Sequence, residues 1–158
     1  MKEMLSQFIY NSNMSKLKSN NSEFCFFSKN SELAKVREFI FSKAKKAINN
    51  IDKINKLVIA VDEACSNLIH HTFNYNEDEN ICINTFIENN NFVIEIKDKG
   101  IPFNPLKLDS VDMGEYLNEF KKGGLGVHII KLVTDDIEYF EKADENSFNI
   151  FRIKMLIN

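Results

Sequence analysis

The chain has 158 residues, enough for one domain and too few for two. Its formal net charge of −3, with acids and bases nearly balanced, argues against a nucleic-acid binder, and no apolar run reaches the ~18 residues of a membrane span. Three scattered cysteines, Cys25, Cys65 and Cys82, form no CxxC pair and sit in apolar surroundings, so they read as buried free thiols in a reducing cytoplasm, without a zinc site or disulfide framework.

Residues 1–10 lack the basic start, long apolar stretch and small-residue cleavage site of a signal peptide. The polar run 11–22 shows little periodicity, so residues 1–21 read as an arm or linker and 22–158 as the domain. EFCFF, starting at Glu23, is strand-like, and Asn30 or Ser31 is placed to cap a following helix in which Leu33, Val36, Ile40, Ala44 and Ala47 recur at helical spacing. A second helix is expected from about Asp52 to Phe73, with Leu57, Val61, Ala64, Cys65 and Leu68 as its core stripe. Ile81, Ile83 and Thr85, then Phe92, Ile94 and Ile96, alternate as two strands joined by a hairpin turn at Glu88–Asn91. After Asp98 comes a loop of about 25 residues, long enough to be functional in a compact domain. Leu125–Val133 reads as a helix, and Ile137–Phe140 and Phe148–Met155 as strands. Fourteen Phe predict a core rich in benzyl rings. The element order implies an α+β fold, with helices on one face of a mostly antiparallel, mixed sheet.

Every glycine (100, 114, 123, 124 and 126) and both prolines (102 and 105) fall in one stretch. Loops collect such residues for turn geometry alone, and Gly114 fits that reading. Gly123, Gly124 and Gly126 instead precede or open an apolar helix, whose first turn offers unpaired N–H groups and a positive dipole end suited to phosphate. The GK[ST] ending of a P-loop is absent. On the second helix Glu63, Asn67 and His71 follow i, i+4, i+8 spacing and share one polar stripe. Magnesium needs only one or two hard protein oxygens beside phosphates, which an Asn amide and a carboxylate one turn away can provide. An ordinary solvated helix face would carry the same spacing. His70, His71 and His128 make a poor metal set, because adjacent helical histidines point about 100° apart.

VDEACSNLIHH (61–71), DKGIPFNP (98–105) and GGLGVHIIKLVTDDIEY (123–139) together resemble, in order and spacing, the three nucleotide boxes of the GHKL ATPase superfamily. Within it they look like the stand-alone branch of anti-sigma factor serine kinases, the RsbW/SpoIIAB type, across residues 22–156. The resemblance implies a two-layer α/β sandwich of the GHKL (Bergerat) type with a loop lid over ATP or ADP and Mg2+. It places Glu63 as general base, Asn67 as magnesium ligand and His71 beside the site. Asp98 falls at the aspartate that accepts the adenine amino group, and Gly100 at the glycine that lets the backbone pass the base. Pro102 and Phe103 follow in the D-x-G-x-P-F-x-P form of the stand-alone branch. Gly123, Gly124, Leu125, Gly126 and Val127 form the last box, of which Gly124 and Gly126 face phosphate. Residues 104–122 are the implied lid, with Lys121 and Lys122 placed to meet phosphate charge or solvent. Where the family tends to carry a Thr before the last strand, Ser147 or Asn149 stands here.

The function implied is an ATP-dependent serine/threonine kinase acting as an anti-sigma factor. Its expected substrate is a STAS anti-anti-sigma protein, its expected partner a sigma factor, and its expected assembly a homodimer without nucleic acid or membrane. The alternative is an ATP-binding switch module without catalysis. A histidine kinase would need an acceptor histidine upstream of the nucleotide domain, and a topology-type ATPase a following transducer domain. Neither is expected in these 158 residues. Lys35, Arg37 and Lys43 on the first helix form either a face for an acidic partner or a solvated surface.

Overall fold

The computed structural model of the chain describes residues 22–107 and 125–158. The arm 1–21, Gly114, most of the expected lid, Lys121, Lys122, Gly123 and Gly124 lie outside the described residues. Strand β1 (Ser22–Phe27) leads through a short turn at Asn30–Glu32 into α1 (Leu33–Ala44). Helix α2 (Ile51–Asn67) is capped by Asn50, whose side-chain oxygen accepts from the N–H groups of Asp52 and Lys53. Then come β2 (Asn80–Glu88), β3 (Asn91–Asp98), α3 (Leu125–Val133), β4 (Asp136–Phe140) and β5 (Asn149–Leu156). Asn30 does not cap α1. Its amide oxygen lies 2.9 Å from His70 Nε2 and tethers the far end of α2 instead.

The sheet order is β1-β2-β3-β5-β4. Among the described residues every ladder is antiparallel, so the expected mixed sheet is corrected to an antiparallel one. The reason is the path of the last hairpin: β5 folds back from β4 and inserts beside β3, which leaves β4 at the edge. The β2–β3 hairpin turns at Asn89 and Asn90, with φ of 48° and 63°. Two consecutive positive φ values are what a two-residue hairpin needs, and Asn tolerates them best among non-glycine residues.

Period-two alternation puts Ile83, Ile96 and Phe151 in one cross-strand row and Ile94 and Ile153 in the next, facing the helices. Helix α2 lies between α1 and α3 and packs on both. Its stripe residues Leu57, Val61, Ala64 and Cys65 are buried, and Leu68 is half-buried. The expected Phe-rich core is corrected: the largest fully buried side chains are mainly isoleucines, whereas Phe27, Phe103, Phe140 and Phe148 are exposed. β-branched isoleucine fills a half-buried pleated surface well, and each buried side chain contributes about 1.5–3 kcal/mol. The basic residues of α1 are engaged locally: Lys35 pairs with Glu32, Arg37 pairs with Asp62 of α2 at 2.7 Å, and Lys43 lies over the Phe39 ring.

The opposite sheet face carries charge. Arg152 on β5 donates to Glu95 of β3 and to Glu138 of β4, with its guanidinium flanked by the rings of Phe86 and Phe140. The same face corrects the cysteine reading. Cys25 and Cys82 are register partners on β1 and β2 and form a disulfide. Alternation turns Phe26 inward to the core and leaves Cys25 exposed, and the sequence separation of 57 between the cysteines hid their pairing from sequence. Cys65 is the buried free thiol expected, and burial pushes its pKa far up. The described helices include none long and apolar enough to cross a membrane.

Candidate nucleotide site

A cleft of about 440 Å³ opens between α2, α3 and the ends of β3, β4 and β5. This lies within the size range of small-molecule sites. Its walls are largely apolar, including Leu68, Val127, Ile130 and Phe151, and Asp98 is a polar group at its lining. Asn67, His71, Pro102 and Phe103 also line it.

The end of α2 is shaped for this cleft. From Leu68 to Thr72 the helix widens into a π turn, and the Phe73 N–H donates to Leu68 O, five residues back. Such bulges shift the side chains beyond them relative to a regular helix and recur at functional positions. Here His71 and Thr72 reach the cleft, while His70 turns aside to stack on Tyr75 and meet Asn30. Among the described residues the three histidines do not converge as a metal cluster.

Asp98 ends β3 on the helix-facing side and is buried. Its Oδ1 accepts from the Gly100 N–H at 2.8 Å and from Asn149 Nδ2 at 3.1 Å. Asn149 Nδ2 also donates to Gly100 O at 3.0 Å, and Asn149 Oδ1 accepts from the Lys142 N–H. One amide thereby binds the carboxylate, the turn after it and the chain just past β4. Ser147 does not share this task; its hydroxyl closes a local turn with Asp144. Burial raises the Asp98 pKa, against the lowering effects of Asn149, Gly100 and Lys142. Gly100 is sterically required: a Cβ there would collide with Thr72 Cγ2 and come within 3.1 Å of Phe73 Cε1. Tyr139 on β4 lines the cleft, and its hydroxyl accepts from the Phe103 N–H at 3.1 Å, fixing the segment that follows Gly100.

The first and third sequence boxes meet at Gly126, in the first turn of α3. A Cβ on Gly126 would lie 2.7 Å from Glu63 Oε2 and 3.1 Å from Asn67 Nδ2. Glu63 and Asn67 therefore converge on the backbone of α3 where only hydrogen fits. Two side-chain oxygens of hard character, one from a carboxylate and one from an amide, face a helix start, and this donor set suits Mg2+ held with phosphate. Gly126→Ala is expected to keep the fold, because Ala is the better helix former and Glu63 can swing aside. The displaced Glu63 and Asn67 should cost nucleotide affinity about tenfold, or ~1.4 kcal/mol, read by calorimetric titration beside a thermal melt. Unchanged affinity would show that the close approach is only packing.

Glu63, Asn67, His71, Asp98, Gly100, Pro102, Phe103, Leu125, Gly126 and Val127 are thus all placed on elements that border this region. Lys122, Gly123 and Gly124 fall outside the described residues. Thr72 and Tyr139 were not found from sequence. Nothing in their spacing marks them, since one depends on the π turn and the other on strand order.

Residues 26–151 match the family model described as "Histidine kinase-like ATPase domain". The chain belongs to the histidine kinase-like ATPase family. Within this family it is similar to the curated "Serine-protein kinase RsbW" of Listeria monocytogenes, 29% identical over 101 residues, covering 61% of this chain and 64% of that protein. The RsbW of Oceanobacillus iheyensis is 30% identical over 92 residues, covering 55% and 58%. The matches span less than two thirds of these relatives' length. Two solved structures share the fold. The SiaB-SiaC complex from Pseudomonas aeruginosa gives a TM-score of 0.61 at 12% identity, over 98% of this chain and 100% of that one. The RsbU and RsbW domains of Rv1364c from Mycobacterium tuberculosis give 0.58 at 10% identity, over 87% and 32%. As in other histidine kinase-like ATPase domains, ATP is the ligand that the family implies.

Proposed function

We propose that this chain is an ATP-dependent serine/threonine protein kinase that acts as an anti-sigma factor in the cytoplasm. Its substrate is a STAS anti-anti-sigma protein, and its sequestered partner is a sigma factor. The observation that carries this reading is the approach of Glu63 and Asn67 to Gly126, which brings a base, an amide oxygen and a helix start to one point. Similarity to RsbW serine-protein kinases supports the reaction type, and the SiaB-SiaC complex shows a neighbour of this fold engaged with a protein partner. A homodimer is part of the same reading.

In this mechanism Asp98 receives the adenine amino group, while Asn149 and Gly100 hold its other oxygen. The apolar walls of the cleft take the base. Asn67 would hold Mg2+, which when bound neutralises phosphate charge. Glu63 accepts the proton of the attacking serine hydroxyl as the oxygen forms its bond to the γ-phosphorus and ADP leaves. Positioning and charge neutralisation supply most of the acceleration in such a transfer.

The test is incubation of the chain with MgATP and its STAS partner, read by intact mass. The expected result is a gain of one phosphoryl group on one serine or threonine of the partner. Nucleotide-dependent association without that gain would favour a binding switch instead.

A further inference from the structure

We propose that Cys25 and Cys82 form a reversible thiol–disulfide pair that reports redox state through the edge of the sheet, apart from the nucleotide site. The two are direct register partners on β1 and β2, on the sheet face away from the helices. Cys25 is exposed, so a small thiol or disulfide reaches its sulfur. The Glu23 carboxylate lies within 4.8 Å of both sulfurs. Lys97 is the register partner of Cys82 on β3, and its ammonium sits 3.6 Å from Glu23 Oε1. Paired with Glu23, Lys97 balances the carboxylate that would otherwise disfavour the thiolate, the form that attacks and resolves disulfides.

The pair does not depend on its bond to stay together. β1 is held by its ladder to β2 from Ser22–Thr85 to Phe27–Asn80. On the other face Phe26 is buried and the Phe24 ring stacks on Phe39 of α1 at 5.1 Å. Reduction therefore leaves both thiols adjacent and ready to close again. A bond that is reachable, aligned by other forces and flanked by charge is built to open and close rather than to create the fold.

The co-reactant is a low-molecular-weight disulfide, R–S–S–R. The Cys25 thiolate attacks one of its sulfurs, and RS− leaves and takes a proton. The Cys82 thiolate then attacks Cys25 Sγ and expels the second RS−. The protein loses two thiol protons and two electrons, and the small disulfide becomes two RSH. With excess RSH the same steps run backwards. Because β1 and the cleft occupy different parts of the sheet, the switch changes how firmly the edge strand is held and leaves nucleotide affinity alone.

The experiment equilibrates the native chain in glutathione buffers from fully reduced to fully oxidised. Thiols are then trapped by alkylation and sites assigned by peptide mass, with hydrogen exchange of residues 22–27 and nucleotide affinity measured at both ends. The expected result is interconversion at intermediate ratios, with alkylation confined to Cys25 and Cys82 until denaturation frees Cys65. Exchange of 22–27 should be slower in the oxidised form, and affinity should change less than twofold. Cys82→Ser, which removes the resolving thiol, should leave Cys25 as a stable mixed disulfide with glutathione. The proposal is overturned if the bridge survives full reducing conditions in the native chain, if the thiols stay unpaired under full oxidation, or if exchange is identical in both forms. Because none of these readouts is phosphoryl transfer, they stand or fall separately from the kinase reading.

Discussion

Replacing Glu63 with Gln is expected to lower phosphoryl transfer by about 10²–10⁴-fold, the usual worth of a positioned general base, while nucleotide affinity stays within about twofold. Gln keeps the length and an amide oxygen toward Gly126 but cannot take up a proton near neutral pH. The close approach of Glu63 Oε2 to the α3 backbone is satisfied sterically by either side chain. Single-turnover transfer to the partner separates this from a packing effect, because a packing defect would weaken nucleotide binding as well. Transfer at the wild-type rate with bound nucleotide would remove Glu63 from the chemistry and leave it as a neighbour of Gly126.

Asp98→Asn is expected to abolish measurable nucleotide binding and yet make the protein more stable at neutral pH. The amide oxygen of Asn can still accept from Gly100 and Asn149, so the turn survives. What disappears is the second acceptor, replaced by a donor facing the cleft. The stability change follows from burial, which raises the native Asp98 pKa above its ordinary value of 3.8. Between that value and the raised native one, the folded chain binds more protons than the unfolded chain. Stability is fully present below the ordinary value and is lost as pH rises through the native pKa. Asn carries no such loss. Chemical denaturation of both proteins from pH 4 to 7 should show wild type falling relative to the variant as pH rises. A variant that is less stable at pH 7 would mean that Asn149 and Gly100 reward the charge more than burial penalises it. The expected direction fits a site residue whose environment is set for a ligand at some expense to the fold.

Much of this was legible in the sequence, for identifiable reasons. Helix α3 was found because its apolar run from Leu125 to Val133 is set off in the sequence by glycine and by Asp135 and Asp136. The β2–β3 hairpin was found because Asn89 and Asn90 interrupt two alternating strands. Glu63 and Asn67 were placed correctly on one helical stripe, yet spacing could not reveal that both close on Gly126, which depends on helix packing. Ser147 and Asn149 were indistinguishable without register; the register puts Asn149, not Ser147, beside Asp98. The disulfide was missed for the same reason, because Cys25 and Cys82 become neighbours only once β1 is aligned on β2. Local chemistry is written in local sequence, whereas cross-strand partnership appears only in the assembled sheet.

The strand order carries a consequence for how such a domain diversifies. The cleft draws on β3, β4 and β5 with α2 and α3, whereas β1 and α1 contribute no residue to its lining. One half of the molecule borders the cleft, and the other is held by packing against α2 and β2 and by the Cys25–Cys82 pair. Substitutions along β1 and α1 that keep Cys25 and the packing on α2 and β2 can therefore accumulate without retuning the cleft, so the two halves should record different histories.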